Sequence, residues 1–383
     1  MAVVALIAVS HGTVDAYSAF LAPLLPRIMD KLGLSIALAA TLATVLSIST
    51  SLMQPAFGYL ADRYGRRVFL AAGPLMTGVF LSLIGIAPTF AMLVVLLILG
   101  GIGSAAFHPP GAALVARAAE GGGSGMRLSA FSFGGSAGFA LGPLAAVAIV
   151  ALVGLEGLWV AMVPGIVLGV MLWAALGRRS PHPETRLPPP PRQVLGLLAG
   201  PLGLVFGVSA VGAFIQRTFL TMMPIIAARA GASEAAGAVV LSVYLGAQAF
   251  GTLVGGYLTD RVNRQKLMVV VSLLAVPAHM AAVALAPASA PALAAAVVAG
   301  FLNMLLLPPV VVMAQEMVPR GAAASSGIVM GLAWATGTIL IPFTGALGDV
   351  YGPVAAAMWS MPALLLVSFL AMHPLLRPYS RAR

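Results

Sequence analysis

A polar decapeptide is written twice in this chain. Gly58-Tyr59-Leu60-Ala61-Asp62-Arg63-Tyr64-Gly65-Arg66-Arg67 returns 198 residues later as Gly256-Tyr257-Leu258-Thr259-Asp260-Arg261-Val262-Asn263-Arg264-Gln265, each time between two long apolar stretches. Prolines carry the repeat beyond the loop: Pro26 matches Pro224 at an offset of 198, and Pro88, Pro109, Pro110 and Pro143 match Pro287, Pro308, Pro309 and Pro342 at 199. A chain that repeats its helix breakers and its loop at one offset repeats its topology, so the second half must fold as the first does.

With 61% hydrophobic and 8% charged residues, the chain has too little polar surface to cover itself in water and belongs in a bilayer. Crossing a hydrocarbon core of about 30 Å takes a helix of about 20 apolar residues. Twelve stretches qualify, near 1–29, 36–60, 68–87, 90–116, 128–153, 156–177, 193–228, 234–259, 267–286, 291–315, 322–347 and 352–376. They lack the alternation of barrel strands and exceed their length. The expected fold is therefore an all-α membrane protein, with twelve transmembrane helices in two pseudo-symmetric six-helix bundles, 1–177 and 193–383. Between them, 178–192 contains Pro181, Pro183 and the run Pro188 to Pro191, and reads as a cytoplasmic linker. Two bundles of like topology, related by an axis along the membrane normal, are a plan of membrane carriers.

Charge sets the expected orientation. If the repeated loop faces the cytoplasm, so do Arg63, Arg66, Arg67, Arg117, Arg127, Arg178, Arg179, Arg186, Arg192, Arg261, Arg264, Lys266, Arg320, Arg377, Arg381 and Arg383, sixteen of the twenty basic residues. Arg27, Lys31 and Arg229 fall on the other side, and both termini are assigned to the cytoplasm. The net charge of +10 is spread over short loops beside anionic headgroups, and no nucleic-acid partner is expected. The apolar N-terminal segment has no basic region ahead of it and reads as a retained first helix. Zero cysteines exclude disulfides, thiolate metal sites and cysteine nucleophiles. Nineteen methionines read as core filler, and no run of three or four ligands stands close in sequence, so neither metal nor cofactor is expected.

The repeated loop resembles the G-x-L-x-D-R-x-G-R-R signature of the major facilitator superfamily, and Gly134 to Pro143 resembles the G-x-x-x-G-P motif of its antiporter branch. Ser10-His11 with Asp15, Gln54-Pro55, Gly101-Ile102-Gly103 with Phe107-His108-Pro109, and Gly135 with Leu141-Gly142-Pro143-Leu144 are similar to the fosmidomycin-resistance subfamily of efflux transporters. Two positions depart from these patterns: Leu96 to Gly103 carries no arginine, and Pro110 stands where an acidic residue follows His-Pro in the subfamily. The resemblance implies a bacterial cytoplasmic (inner) membrane protein, multi-pass and monomeric, moving a small-molecule substrate by alternating access. Helices 1, 4, 7 and 10 would line its cavity.

Titratable groups inside a bilayer cost about 2.5–3.5 kcal/mol each on insertion scales, so the few present need a reason. His11 and Asp15 share a face of helix 1 at i, i+4. By helical rise Asp15 lies roughly 16 Å and His11 roughly 22 Å in from Pro26, and His108 roughly 13 Å in from Arg117. These three are the candidates for proton coupling; the plainer alternative is a His11–Asp15 bond that satisfies two buried groups. Arg217, beside Gln216 and roughly 10 Å from its helix end, either snorkels to the interface or faces the cavity, where it pairs with Asp15 or holds an acidic substrate group by a forked bond. Phe107, Gln248 and Trp334 are candidate walls, aromatic residues in bundles otherwise being packing.

Gly58, Asp62, Arg63, Arg66 and Arg127, with Asp260, Arg261 and Arg264, form a candidate conformational gate, Asp62 accepting from a neighbouring helix N-terminus or from Arg127; topogenic charge and capping are the alternative. Glu316 and Arg320 read as an i, i+4 pair. Gly134, Gly138 and Gly142 give one helix a smooth stripe for close packing, and Pro143 bends it. Together these features predict a proton-coupled antiporter exporting a small anionic or zwitterionic compound. The rivals are an uptake symporter for a small organic anion, an intramembrane enzyme using His11 and Asp15, and a transport-dead sensor. A phosphate-binding loop for ATP is absent.

Overall fold

The structure, a computed structural model, describes residues 2–117, 124–176, 196–318 and 322–381. The proposed linker, Arg320 and the side chain of Arg127 fall outside the described residues.

Among the described residues twelve helices are long and apolar enough to cross a membrane, and none is a strand. They are α1 (Val3–Leu32), α2 (Ile36–Tyr64), α3 (Arg66–Ile86), α4 (Phe90–Val115), α5 (Ala130–Val153), α6 (Glu156–Ala175), α7 (Pro201–Arg229), α8 (Glu234–Thr259), α9 (Arg264–Ala284), α10 (Ala290–Met317), α11 (Ser325–Tyr351) and α12 (Pro353–Ala371). Their ends carry the usual signals: Ser233, Asn263 and Ser289 accept backbone N–H bonds at the starts of α8, α9 and α10, satisfying donors a first helical turn leaves open. Gly65, with φ 99°, turns α2 into α3 without the clash a side chain would bring.

The chain packs as two units. One comprises 2–33 and 45–176, the other 34–44 and 196–381. Inside the first, α1 lies along α5, and α3 packs on α4 and α6; inside the second, α7 lies along α11, and α9 packs on α10 and α12. The same pairings six helices apart are what the duplicated sequence requires. One element breaks the division: residues 34–44 of α2 cluster with the second unit although the rest of the helix belongs to the first.

The α1–α5 seam is built by glycine. A methyl group on Gly134 or Gly138 would fall on the carbonyls of Ala8 and Gly12, and one on Gly142 would lie 2.5 Å from the carbonyl oxygen of Ala16. Three glycines at four-residue steps thus meet three backbone groups of α1 at the same steps, and dispersion between backbones replaces side-chain packing. α1 itself is broken between Ser18 and Leu21. Beside the break, Tyr17 donates to the carbonyl of Ala161 at 2.5 Å and accepts from the N–H of Gly165 at 3.0 Å, which ties this part of α1 to α6.

Candidate functional site

In the first unit, three side chains from two helices converge. Asp15 on α1 faces His11 one turn earlier, with Oδ2 3.3 Å from His11 Nε2, and faces His108 on α4, with Oδ1 3.0 Å from His108 Nε2. The far nitrogens are anchored to backbone. His11 Nδ1 lies 2.8 Å from the carbonyl oxygen of Phe131, and His108 Nδ1 lies 2.7 Å from that of Ser104. A carbonyl only accepts, so each Nδ1 carries hydrogen, and in the neutral ring each Nε2 is left with a lone pair. With both rings neutral and Asp15 ionised, acceptors face acceptors across 3.0 and 3.3 Å. A positive occupant relieves this, and a proton in one gap turns that contact into a hydrogen bond.

Aromatic packing fixes the rings. The Phe131 ring stacks on His11 at 4.0 Å between centroids with 18° between planes, and His11 meets His108 edge to face at 4.9 Å. Gly135 is the residue that makes room: a Cβ there would stand 2.6 Å from His11 Nε2 and 2.7 Å from Asp15 Oδ2. The side chains of His11, Asp15 and His108 remain 10%, 19% and 24% exposed. Their three ligand atoms lie within 4.8 Å of one another, close enough for one small cation. Helical spacing alone pairs only His11 with Asp15; His108, 93 residues from Asp15, is grouped with them through the cavity-lining helices that the resemblance implies.

Phe107 is placed elsewhere than expected. It is fully buried in the core with Ile7, Val14, Leu70 and Phe131, against the surface that Gly73 leaves bare. It supports the histidine rings from behind and forms no open wall.

The second unit holds a chain of buried amides. Gln216 Nε2 donates to Gln248 Oε1 at 2.7 Å, Gln248 Nε2 donates to Asn303 Oδ1 at 3.2 Å, and Asn303 Nδ2 donates to the carbonyl of Gly212 at 3.1 Å. Gln216 Oε1 is left with no hydrogen-bond partner among the described residues. Asn303, which sequence reasoning missed, links this chain to a cavity of ≈ 20 Å³ lined also by Ser209, Gly212 and Trp334. That volume suits one water. Trp334 follows a π-helical turn, Ile328–Leu332, and Ser209 donates to the Val329 carbonyl within it at 2.5 Å. A second buried group, His279, donates from Nδ1 to the carbonyl of Ala275 at 2.8 Å and accepts from Tyr244 at 3.3 Å.

The two loop copies differ. Arg66 donates to Asp62 through Nε at 2.9 Å and through Nη2, so among the described residues the carboxylate is held by the arginine four positions on. Arg63 donates to Tyr59 at 3.0 Å, and Arg261 lies over the Tyr257 ring at 3.7 Å. Arg264, the counterpart of Arg66, is buried and donates to Glu316 at 2.7 Å and to the Tyr379 carbonyl at 3.0 Å. Glu316 is therefore paired across the bundle with Arg264, a partner that the i, i+4 pattern toward Arg320 did not suggest.

Twelve spans in a repeated six-helix pairing, with ionisable groups buried between helices, define a secondary active transporter of the alternating-access type. The chain matches the Major Facilitator Superfamily over residues 7–340 and belongs to it. Among curated proteins it is 28% identical to an uncharacterised transporter of this type from Bacillus subtilis, over 95% of this chain and 91% of that one. It is 26% identical to the fosmidomycin resistance protein of Escherichia coli, over 90% and 85%. Among solved structures, a bacterial homologue of the human lysosomal transporter Spinster, inward-facing and occupied, superposes with TM-score 0.79 at 19% identity, covering 97% of this chain and 94% of that one. A D-xylose–proton symporter gives 0.73 at 15%, covering 96% of each. These two likenesses concern the fold.

Proposed function

We propose that this transporter is a proton-coupled antiporter exporting a small anionic or zwitterionic organic compound across a bacterial inner membrane, both termini cytoplasmic. The observation that carries the reading is Asp15 held between two imidazoles whose outer nitrogens are committed to backbone carbonyls. Such a cluster gains or loses a proton with little rearrangement, and its remaining exposure gives that proton a route. Arg217, Gln216, Gln248 and Trp334 supply the substrate contacts in the second unit, with Arg217 holding an acidic group. Asp62, Arg63, Arg66, Gly58 and Arg127, with Asp260, Arg261 and Arg264, act at the arginine-rich helix ends as the gate. The name of the Escherichia coli relative adds a phosphonate, fosmidomycin, to the compounds worth testing.

The test uses the purified protein in liposomes loaded with a pH-sensitive dye and a panel of small acids and phosphonates. Adding a transported compound outside should drive protons outward in the intact protein, and Asp15→Asn should lose the proton flux while retaining substrate exchange. Proton flux unchanged in Asp15→Asn would remove the coupling site. Protons moving with the compound would make the carrier a symporter.

A further inference from the structure

α11 ends in Gly345-Ala346-Leu347-Gly348-Asp349-Val350-Tyr351-Gly352, the same Gly-x-Leu-x-Asp-x-Tyr-Gly frame as Gly58 to Gly65. The two frames fold alike. Gly65 (φ 99°, ψ 135°) and Gly352 (φ 88°, ψ 154°) occupy the same glycine-favouring region, and each N–H returns to the carbonyl four residues back, Ala61 or Gly348, at 3.0 Å. Successive spans alternate in direction, so a frame closing an odd-numbered helix emerges at the opposite end from one closing α2 or α8.

The carboxylates of the two frames have different partners for a reason legible in the chain. Asp62 is held by Arg66, four residues on; four residues after Asp349 stands Pro353, which has no donor to offer. Asp349 turns instead to the first turn of α2, where Oδ1 accepts from the N–H of Ile36 at 2.7 Å and Oδ2 from that of Ala37 at 3.0 Å. The local cap, Ser35, reaches only further along: its Oγ accepts from Leu38 at 3.2 Å and its carbonyl from Ala39 at 3.0 Å. Two of the amides that a helix start leaves open are thus satisfied by a residue more than 300 positions away. Glycine permits the approach, since a Cβ on Gly345 would lie 2.7 Å from Ala37 Cα and 2.8 Å from Ala40 Cβ. Lower down, Thr44 donates to the Thr338 carbonyl at 3.0 Å. These contacts span the 34–44 segment that packs with the second unit while α2 beyond it belongs to the first.

We infer that Asp349 is a releasable latch: by capping Ile36 and Ala37 it holds the first turns of α2 on α11, and its release frees that segment to follow the rest of its own helix. Asp349 is exposed, so water competes for its oxygens and the cap can break in each cycle. Caps of this kind bias an equilibrium by roughly two- to thirtyfold. The latch works at the opposite end from Asp62, whose carboxylate is occupied within its own loop while the latch is engaged. It rests on the alternating-access reading but not on the proton site.

The chain has no cysteine, so Thr44→Cys gives a single buried reporter on the latched segment. In the purified full-length protein, alkylation of this thiol by a hydrophilic maleimide should quicken about tenfold when Asp349→Asn is added, and similarly with Gly345→Ala, which displaces the segment sterically. Elution as a monodisperse species verifies folding in both variants. Equal alkylation rates with and without Gly345→Ala, or with and without Asp349→Asn in folded protein, overturn the latch. Because the readout needs neither substrate nor pH gradient, its failure is separable from failure of the Asp15 test.

Discussion

His108 Nε2 stands 3.0 Å from Asp15 Oδ1 while its other nitrogen is held 2.7 Å from the carbonyl of Ser104. The backbone contact fixes which nitrogen bears hydrogen, so the side facing Asp15 is the side that can receive a proton. His108→Asn keeps a donor near the position of Nδ1 but removes Nε2. It should therefore preserve folding and lower substrate-driven proton flux at least tenfold, read by dye in liposomes beside unchanged thermal melting. Flux that survives would assign the proton to His11 alone.

Gly135→Ala tests the same cluster from α5. Its methyl would lie 2.6 Å from His11 Nε2 and 2.7 Å from Asp15 Oδ2, so one of these must swing away. Overpacking of this order costs about 1–3 kcal/mol. The expected outcome is coupled transport lost more completely than melting temperature. An active, fully coupled Gly135→Ala would show that the two side chains need not meet.

Gly138→Ala addresses the seam alone. A methyl directed at the carbonyl of Gly12 forces α1 and α5 apart over their whole contact, with a loss of about 3 kcal/mol or more expected where backbones touch. Thermal melting in detergent should fall clearly below that of Gly256→Ala, where nothing lies within 4 Å of the added atom. Equal melting of the two variants would contradict the packing described.

Arg264→Gln removes the partner of Glu316 from a buried site. The Glu316 carboxylate left behind is a quarter exposed, so losing its charged partner costs about 1–3 kcal/mol, whereas Arg66→Gln opens a more exposed pair and should cost under about 1 kcal/mol. Melting curves of the two variants, side by side, check the ordering. Similar small losses would mean that Arg264 is solvated in the membrane-embedded protein.

Arg217→Gln concerns substrate. If the guanidinium holds an acidic group, transport of acidic compounds should disappear while any uncharged analogue retains its rate. Unchanged uptake of an acidic compound would discard Arg217 as its anchor.

Much of this molecule is legible in the chain itself. Twelve apolar runs, matched prolines and the doubled loop determine the number of spans and the repeat, because a bilayer leaves a backbone little choice but helix and because a duplicated sequence obeys the same packing rules twice. The glycine stripe of α5 is likewise readable, since small residues at four-residue steps bring backbones together. Pairing across the bundle is not. His11 and Asp15 could be matched by helical spacing, but His108 joins them only through the packing of α1 with α4, and Arg264 meets Glu316 only because α9 lies on α10. The repeat even misleads there: Asp62–Arg66 and Asp260–Arg264 have equal spacing and different partners, because the second arginine is itself buried and finds the Glu316 carboxylate and a carbonyl within reach. Asp349 shows the same limit, its role fixed by two amides far along the chain. Local periodicity determines elements, whereas hydrogen-bond partners depend on rotations and offsets between helices that a linear pattern does not encode.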